Sequence, residues 1–187
     1  AKLPAAEIAR WRAAVRRFLG MLAVADPRRP VLKSPPHTAR VALLAEMFPG
    51  ARFLHVVRDP YVVFVSTMRL WKSLHEVQGM QVEDPAATER YVFAAFEEMY
   101  AAFERDRAVL QPGQLHELRY EDLVADPVGK LEQAYEHLGL GGFDPVREKL
   151  EEHARSMRRY RTNTYEHDPR ITAEIGRRWR LFLDRYG

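Results

Sequence analysis

Cysteine is absent from the 187 residues. That excludes a disulfide framework and any thiolate metal site, and it fits a reducing compartment, with a cytoplasmic location as the expectation. No apolar run approaches membrane-spanning length, and nothing resembles a signal peptide. A phosphate-cradling loop of the form G-x-x-x-x-G-K-[ST] is also missing; the glycines around Leu140 read instead as the end of a helix at Gly139. Charge of one sign is in short supply: 29 Lys and Arg against 26 Asp and Glu leave +3. Bulk attraction to nucleic acid or to a membrane is therefore not expected. Repeats, linkers and low-complexity stretches are lacking too, so residues 1–187 read as one domain.

What the chain does have is a repeated device, Ser or Asp followed by Pro, at Ser34, Asp59, Asp84, Asp126, Asp144 and Asp168. An oxygen side chain caps free N–H groups and proline fits a first helical turn, so each pair predicts a helix start. Asp26-Pro27, followed at once by Arg28, Arg29 and Pro30, reads as a loop. Apolar stripes follow the helical period: Ile8, Trp11, Val15, Phe18 and Leu22; then Val41, Leu44 and Phe48; then Val92, Phe96, Met99 and Phe103; then Leu131, Tyr135 and Leu138. Three strands are predicted between helices, at Val31 to Lys33, Arg52 to Val57 and Leu115 to Arg119. Strands alternating with helices predict an α/β fold, a central parallel sheet flanked by helices.

The run Phe53 to Val57, then Arg58-Asp59-Pro60, puts a guanidinium at the carboxyl edge of a strand, where open α/β sheets bind ligands. The planar fork of arginine suits a phosphate, because it donates to two oxygens at once. Ser66 lies two turns into the next helix, about 9 Å along its axis from Pro60, within reach of the arginine over one phosphate.

Arg-Asp-Pro with a serine eight residues after the arginine resembles the motif by which sulfotransferases hold the 3'-phosphate of 3'-phosphoadenosine 5'-phosphosulfate (PAPS). Two further pieces stand in the family's order: Val31-Leu32-Lys33-Ser34-Pro35-Pro36-His37 upstream, and Arg119-Tyr120-Glu121-Asp122-Leu123 leading to Asp126-Pro127 downstream. The resemblance implies a P-loop NTPase-like, three-layer architecture. It also implies PAPS as donor substrate without a metal, Arg58 and Ser66 on the 3'-phosphate, and Tyr120 against the adenine. The strand, Lys-Ser-Gly-Thr-like loop and helix with which such enzymes begin are not found here. With Ala1 rather than Met at the start, the chain is expected to be the later part of a longer protein, incomplete at its N-terminus.

Sulfuryl transfer needs positive charge on the anhydride oxygens and an acceptor for the hydroxyl proton. Lys33, before a helix start, is the expected catalytic cation, aided by the N–H groups after Ser34. In part of the family the basic histidine stands two residues after the lysine, where this chain has Pro35; His37 is the nearest candidate base, a carboxylate from the absent upstream region could equally serve, and Glu46 and Glu76 are weaker local candidates. Each residue also has a plain structural reading: Arg58 as an ion-pair partner, Ser66 as a buried helix serine, Lys33 as a solvated strand end, His37 as a satisfied first-turn histidine, Tyr120 as a core tyrosine with a wet tip. The joint spacing of Arg58 and Ser66 favours the phosphate reading, the strand-to-helix context of Lys33 favours the catalytic one, and His37 and Tyr120 stay open between the two. Glu121 and Asp122 are expected to shape the turn, and Arg155, Arg158, Arg159 and Arg161 to form a solvated face. A non-catalytic nucleotide-binding or scaffold fragment and a P-loop-like phosphotransferase are the competing functions. The acceptor is expected to be a hydroxyl on a small molecule or carbohydrate; a homodimer stays open.

Overall fold

The computed structural model describes residues 3–80, 82, 84–157, 165, 166 and 168–187. Helix α1 (Ala5–Ala25) opens the chain, and an irregular stretch leads to a short 3-10 helix, Pro35–Arg40, continued by α2 (Val41–Met47). Strand β1 (Phe53–Val57) precedes α3 (Pro60–Gln78) and α4 (Pro85–Asp106); strand β2 (Leu115–Arg119) precedes α5 (Tyr120–Ala125), α6 (Pro127–Leu138) and α7 (Asp144–Ser156). Helices α8 (Pro169–Arg178) and α9 (Arg180–Tyr186) close the fold. Of the four late arginines, Arg158, Arg159 and Arg161 lie outside the described residues.

The aspartate caps form as the sequence predicts where the chain enters a helix from extended or irregular backbone. Asp59 accepts from Val62 N, Asp84 from Ala86 N and Ala87 N, Asp126 from Gly129 N and Asp168 from Arg170 N. Two pairs depart from this. Ser34 is extended (φ −156°, ψ 120°) and makes no side-chain cap, so Pro35 starts a 3-10 turn rather than an α-helix. Asp144 lies within α7, whose N-cap is Phe143. At the other end of α6, Gly139 is left-handed (φ 59°), the conformation that ends a helix at least cost when the residue has no Cβ.

The sheet of the described residues has two parallel strands, with Phe53 opposite Leu115 and Val57 opposite Arg119. The third predicted strand, Val31 to Lys33, does not form. Among the described residues no strand pairs with it, and Val31 is 93% exposed, so its apolar residues have no face to bury. One face of the sheet, through His55 and Val57, meets α4 and the C-terminal helices. On the other, Leu118 is buried near α6 while Leu54 and Val56 stay exposed.

The core is aromatic: Phe64, Phe93, Phe96, Tyr100, Phe103, Trp179 and Phe182 pack with Val41, Val57 and Val92. Trp179 stacks on Phe96 with ring centroids 3.8 Å apart and donates its indole N–H to Phe93 O at 3.3 Å. In α2 the buried residue is Met47 rather than the predicted Phe48, because the helix stops at Met47. The α4 stripe holds with Phe93 and Tyr100 added, Met99 being only partly buried. Phe64 is buried, and Met68 and Trp71 pack against the core beside it.

Candidate functional site

Parallel pairing of Val57 with Arg119 makes Arg58 and Tyr120 the first residues beyond two adjacent strand ends. They meet there: the Arg58 guanidinium lies over the Tyr120 ring, 4.3 Å from its centroid. Arg58 is half-buried and forms no ion pair among the described residues, so its fork keeps donors free for an anion. Just after it, Asp59 caps α3, and its backbone N–H donates to Glu121 Oε1 at 3.2 Å, which gives Glu121 the turn-shaping role expected of it.

Arg58 also lines a cleft of about 360 Å³ at this edge of the sheet. Its walls include Arg119, Glu121 and Pro60, and its apolar side is built by Ile175, Phe182 and Leu183. The C-terminal segment is held over this edge by polar contacts. Tyr61 OH donates to Glu166 O and accepts from Asp168 N, both at 2.6 Å, and Arg119 donates to Tyr186 O at 2.9 Å. A second cleft, about 420 Å³ between α4 and α8, is walled by Arg170 and Arg178, paired with Glu89 and Glu97, and by Arg177, paired with Glu174. Its guanidinia are already satisfied by carboxylates.

The other expected site residues stand apart from Arg58's cleft. Ser66 is half-buried in the second turn of α3, and its hydroxyl donates to Val63 O at 3.0 Å. Lys33 is exposed and without an ion pair among the described residues. His37, in the 3-10 helix packed on α4, has a buried Nδ1 with no hydrogen-bond partner. Burial, helped by nearby Arg40, holds its imidazolium pKa below the ordinary value, so the ring is neutral at pH 7. Glu46 is gripped by Arg12, which holds its carboxyl below the usual range and makes it a poor base near neutrality. Glu76 faces Lys72 at 4.0 Å on α3. Among the described residues, no group of three or more His, Asp or Glu is placed to hold a metal ion, and no helix is long and apolar enough to cross a membrane.

Beneath the site lies a polar network that spacing alone did not reveal. Directly paired residues of the two strands, His55 and Glu117, approach to 3.2 Å, and Glu117 also accepts from Arg107 at 3.1 Å and from Tyr186 OH at 2.6 Å. Burial alone would raise the Glu117 pKa; the hydrogen bonds from His55, Arg107 and Tyr186 outweigh it and hold the carboxyl well below its ordinary value. Burial and the Glu117 and Glu104 carboxylates push the Tyr186 and Tyr100 hydroxyls up, so both stay protonated. A depressed carboxyl contributes stability that is present above its unfolded pKa of 4.5 and lost as pH falls toward its folded value. Glu117→Gln is therefore expected to cost about 2 kcal/mol at pH 7, and its deficit in urea midpoint against wild type to shrink below pH 4.5. A deficit that is constant with pH would remove the ionised carboxylate from that role.

Comparison with known proteins gives one consistent result. A family model described as the sulfotransferase family matches residues 3–145. The omega-hydroxy-beta-dihydromenaquinone-9 sulfotransferases of Mycobacterium bovis and Mycobacterium tuberculosis are each 35% identical over 181 residues, which is 97% of this chain and 47% of theirs. The chain thus spans about half the length of these curated relatives. Among solved structures, the sulfotransferase domain from the curacin biosynthetic pathway is 27% identical with a TM-score of 0.50, over 67% of this chain and 44% of that one.

Proposed function

The chain belongs to the sulfotransferase family, and from that premise we propose that Arg58 and Ser66 hold the 3'-phosphate of PAPS during transfer of its sulfuryl group to an acceptor hydroxyl. The observation that carries this is Arg58 itself: a half-buried guanidinium at the carboxyl edge of a parallel strand, stacked on Tyr120 and free of carboxylates among the described residues. One face of Tyr120 holds that guanidinium in place; the adenine contact falls to the other. Residues 1–187 are assigned to one sulfotransferase-like domain of three-layer, P-loop-like architecture.

In the reaction, the bond from sulfur to the bridging anhydride oxygen breaks as one to the acceptor oxygen forms, and adenosine 3',5'-bisphosphate leaves. Lys33 neutralises charge growing on the bridging oxygen, and His37, neutral at pH 7, takes the hydroxyl proton. The relatives' names point to a hydroxyl on a quinone-derived small molecule. The same class, an alcohol carried on an apolar body, is assigned to this chain.

Binding tests the reading without requiring turnover. Adenosine 3',5'-bisphosphate is expected to raise the melting temperature well above any effect of AMP, since a ligand held only by the folded state stabilises it by mass action. Equal shifts from the two nucleotides would rule out a 3'-phosphate clamp.

A further inference from the structure

The near-balanced total charge hides an asymmetry along the chain. Residues 1–33 carry eight of the 29 Lys and Arg but only two of the 26 Asp and Glu, and everything after them is left with 21 basic and 24 acidic groups. On α1, Arg10, Arg12, Arg16 and Arg17 face Glu7 alone; beyond it, Arg28, Arg29 and Lys33 face Asp26. Arg12 is neutralised by Glu46 and Arg28 by Asp26. Arg16, Arg17, Arg29 and Lys33 are exposed and form no ion pair among the described residues.

The same helix keeps an apolar face in water. No residue of α1 is buried. Its first half rests on the body of the protein, with Arg12 bound to Glu46 and Trp11 under the Arg40 guanidinium. Its second half does not: Phe18 is 54% exposed, Met21 59% and Val24 89%, with Leu22 beside them. At about 100° per residue, Phe18, Met21 and Leu22 share one narrow arc, and Arg10 and Arg17 run in line with Val24 along its margin. The next irregular stretch adds exposed Val31 and Leu32 beside Arg29.

An arginine-rich margin beside Phe, Met and Leu that none of the described residues covers has the make-up of a helix lying in a membrane interface. We propose that the second half of α1 docks on an anionic lipid surface, with Phe18, Met21, Leu22 and Val24 entering the acyl boundary and the arginines meeting lipid phosphates. A symmetric pairing of two such faces would bring two arginine-bearing margins together, which disfavours a second chain as occupant. The expectation of no membrane attraction rests on total charge, whereas this proposal rests on how that charge is segregated along the chain. This docking does not depend on the transferase reading: it involves neither Arg58 nor Ser66, and it fails or holds whatever nucleotide the cleft binds.

Co-sedimentation of the full chain with vesicles tests it. Partition onto phosphatidylglycerol–phosphatidylcholine vesicles is expected to exceed that onto phosphatidylcholine alone by roughly tenfold or more, and to fall as salt rises. Arg10→Glu with Arg17→Glu, and separately Phe18→Ser with Met21→Ser, should each abolish the excess while leaving the melting curve unchanged, since all four side chains are exposed. Equal partition onto both vesicle types, no sedimentation with either, or unaltered binding by the charge-reversed variant would overturn the proposal. So would equally tight retention by a DNA oligonucleotide at the same salt, or a lipid-free dimer that Phe18→Ser with Met21→Ser dissociates.

Discussion

With Arg58 replaced by Ala, adenosine 3',5'-bisphosphate and AMP should stabilise the protein equally. The two nucleotides differ in one phosphate, and hydrogen bonds to a charged group contribute about 1.5–3 kcal/mol each. Losing a forked guanidinium from that phosphate is expected to weaken binding by roughly one to two orders of magnitude. The ligand-free protein should barely notice. Arg58 is half-buried, pairs with no carboxylate among the described residues, and gives up only its stacking on Tyr120, about 0.5–1 kcal/mol. Arg58→Lys should restore part of the discrimination, because a point charge remains but the two-pronged geometry does not. Ser66→Ala should reduce the preference less, since its hydroxyl already has Val63 O as a partner and contributes one neutral donor. If Arg58→Ala retained the preference for the bisphosphate, the phosphate would have to sit elsewhere.

How far this site was legible in the sequence depended on whether its determinants are local. Arg58 lies at a strand end followed by Asp-Pro, and both signals are contained within a few residues, so the strand, the cap and the arginine between them fell where the pattern put them. The same holds for the caps at Asp84, Asp126 and Asp168, where the side chain meets an N–H two or three residues on. Val31 to Lys33 fails for the opposite reason. Three apolar-to-basic residues have strand composition, but a strand is made by its neighbour, and none among the described residues pairs with it.

Long-range partners account for the rest. The pairing of His55 with Glu117 spans 62 residues, and only the register of the two strands brings them face to face. The register likewise sets Arg58 against Tyr120, a contact that spacing within either motif could not give. In the C-terminal segment charged residues interrupt the apolar ones. Ile171, Ile175, Trp179 and Phe182 follow a helical period across the break between α8 and α9, and all four are buried. Their spacing is helical, but the arginines between them break up the apolar pattern along the chain.

Trp179→Ala should therefore produce the largest loss of stability of any substitution considered, about 3–5 kcal/mol. The side chain is only 2% exposed, its ring stacks on Phe96 and lies 5.4 Å from Phe93, and its N–H donates to the Phe93 backbone carbonyl. A domain of this size has about 5–15 kcal/mol in all, so the variant should unfold at a much lower urea concentration. Arg180→Ala, one residue on and exposed, should change little. Trp179 also supports the helices that carry Ile175 and Phe182 to the wall of the Arg58 cleft, so whatever protein stays folded should bind adenosine 3',5'-bisphosphate more weakly than wild type. Wild-type stability in the Trp179 variant would mean that α8 and α9 detach from the core without cost, and the cleft they wall would then have no fixed shape.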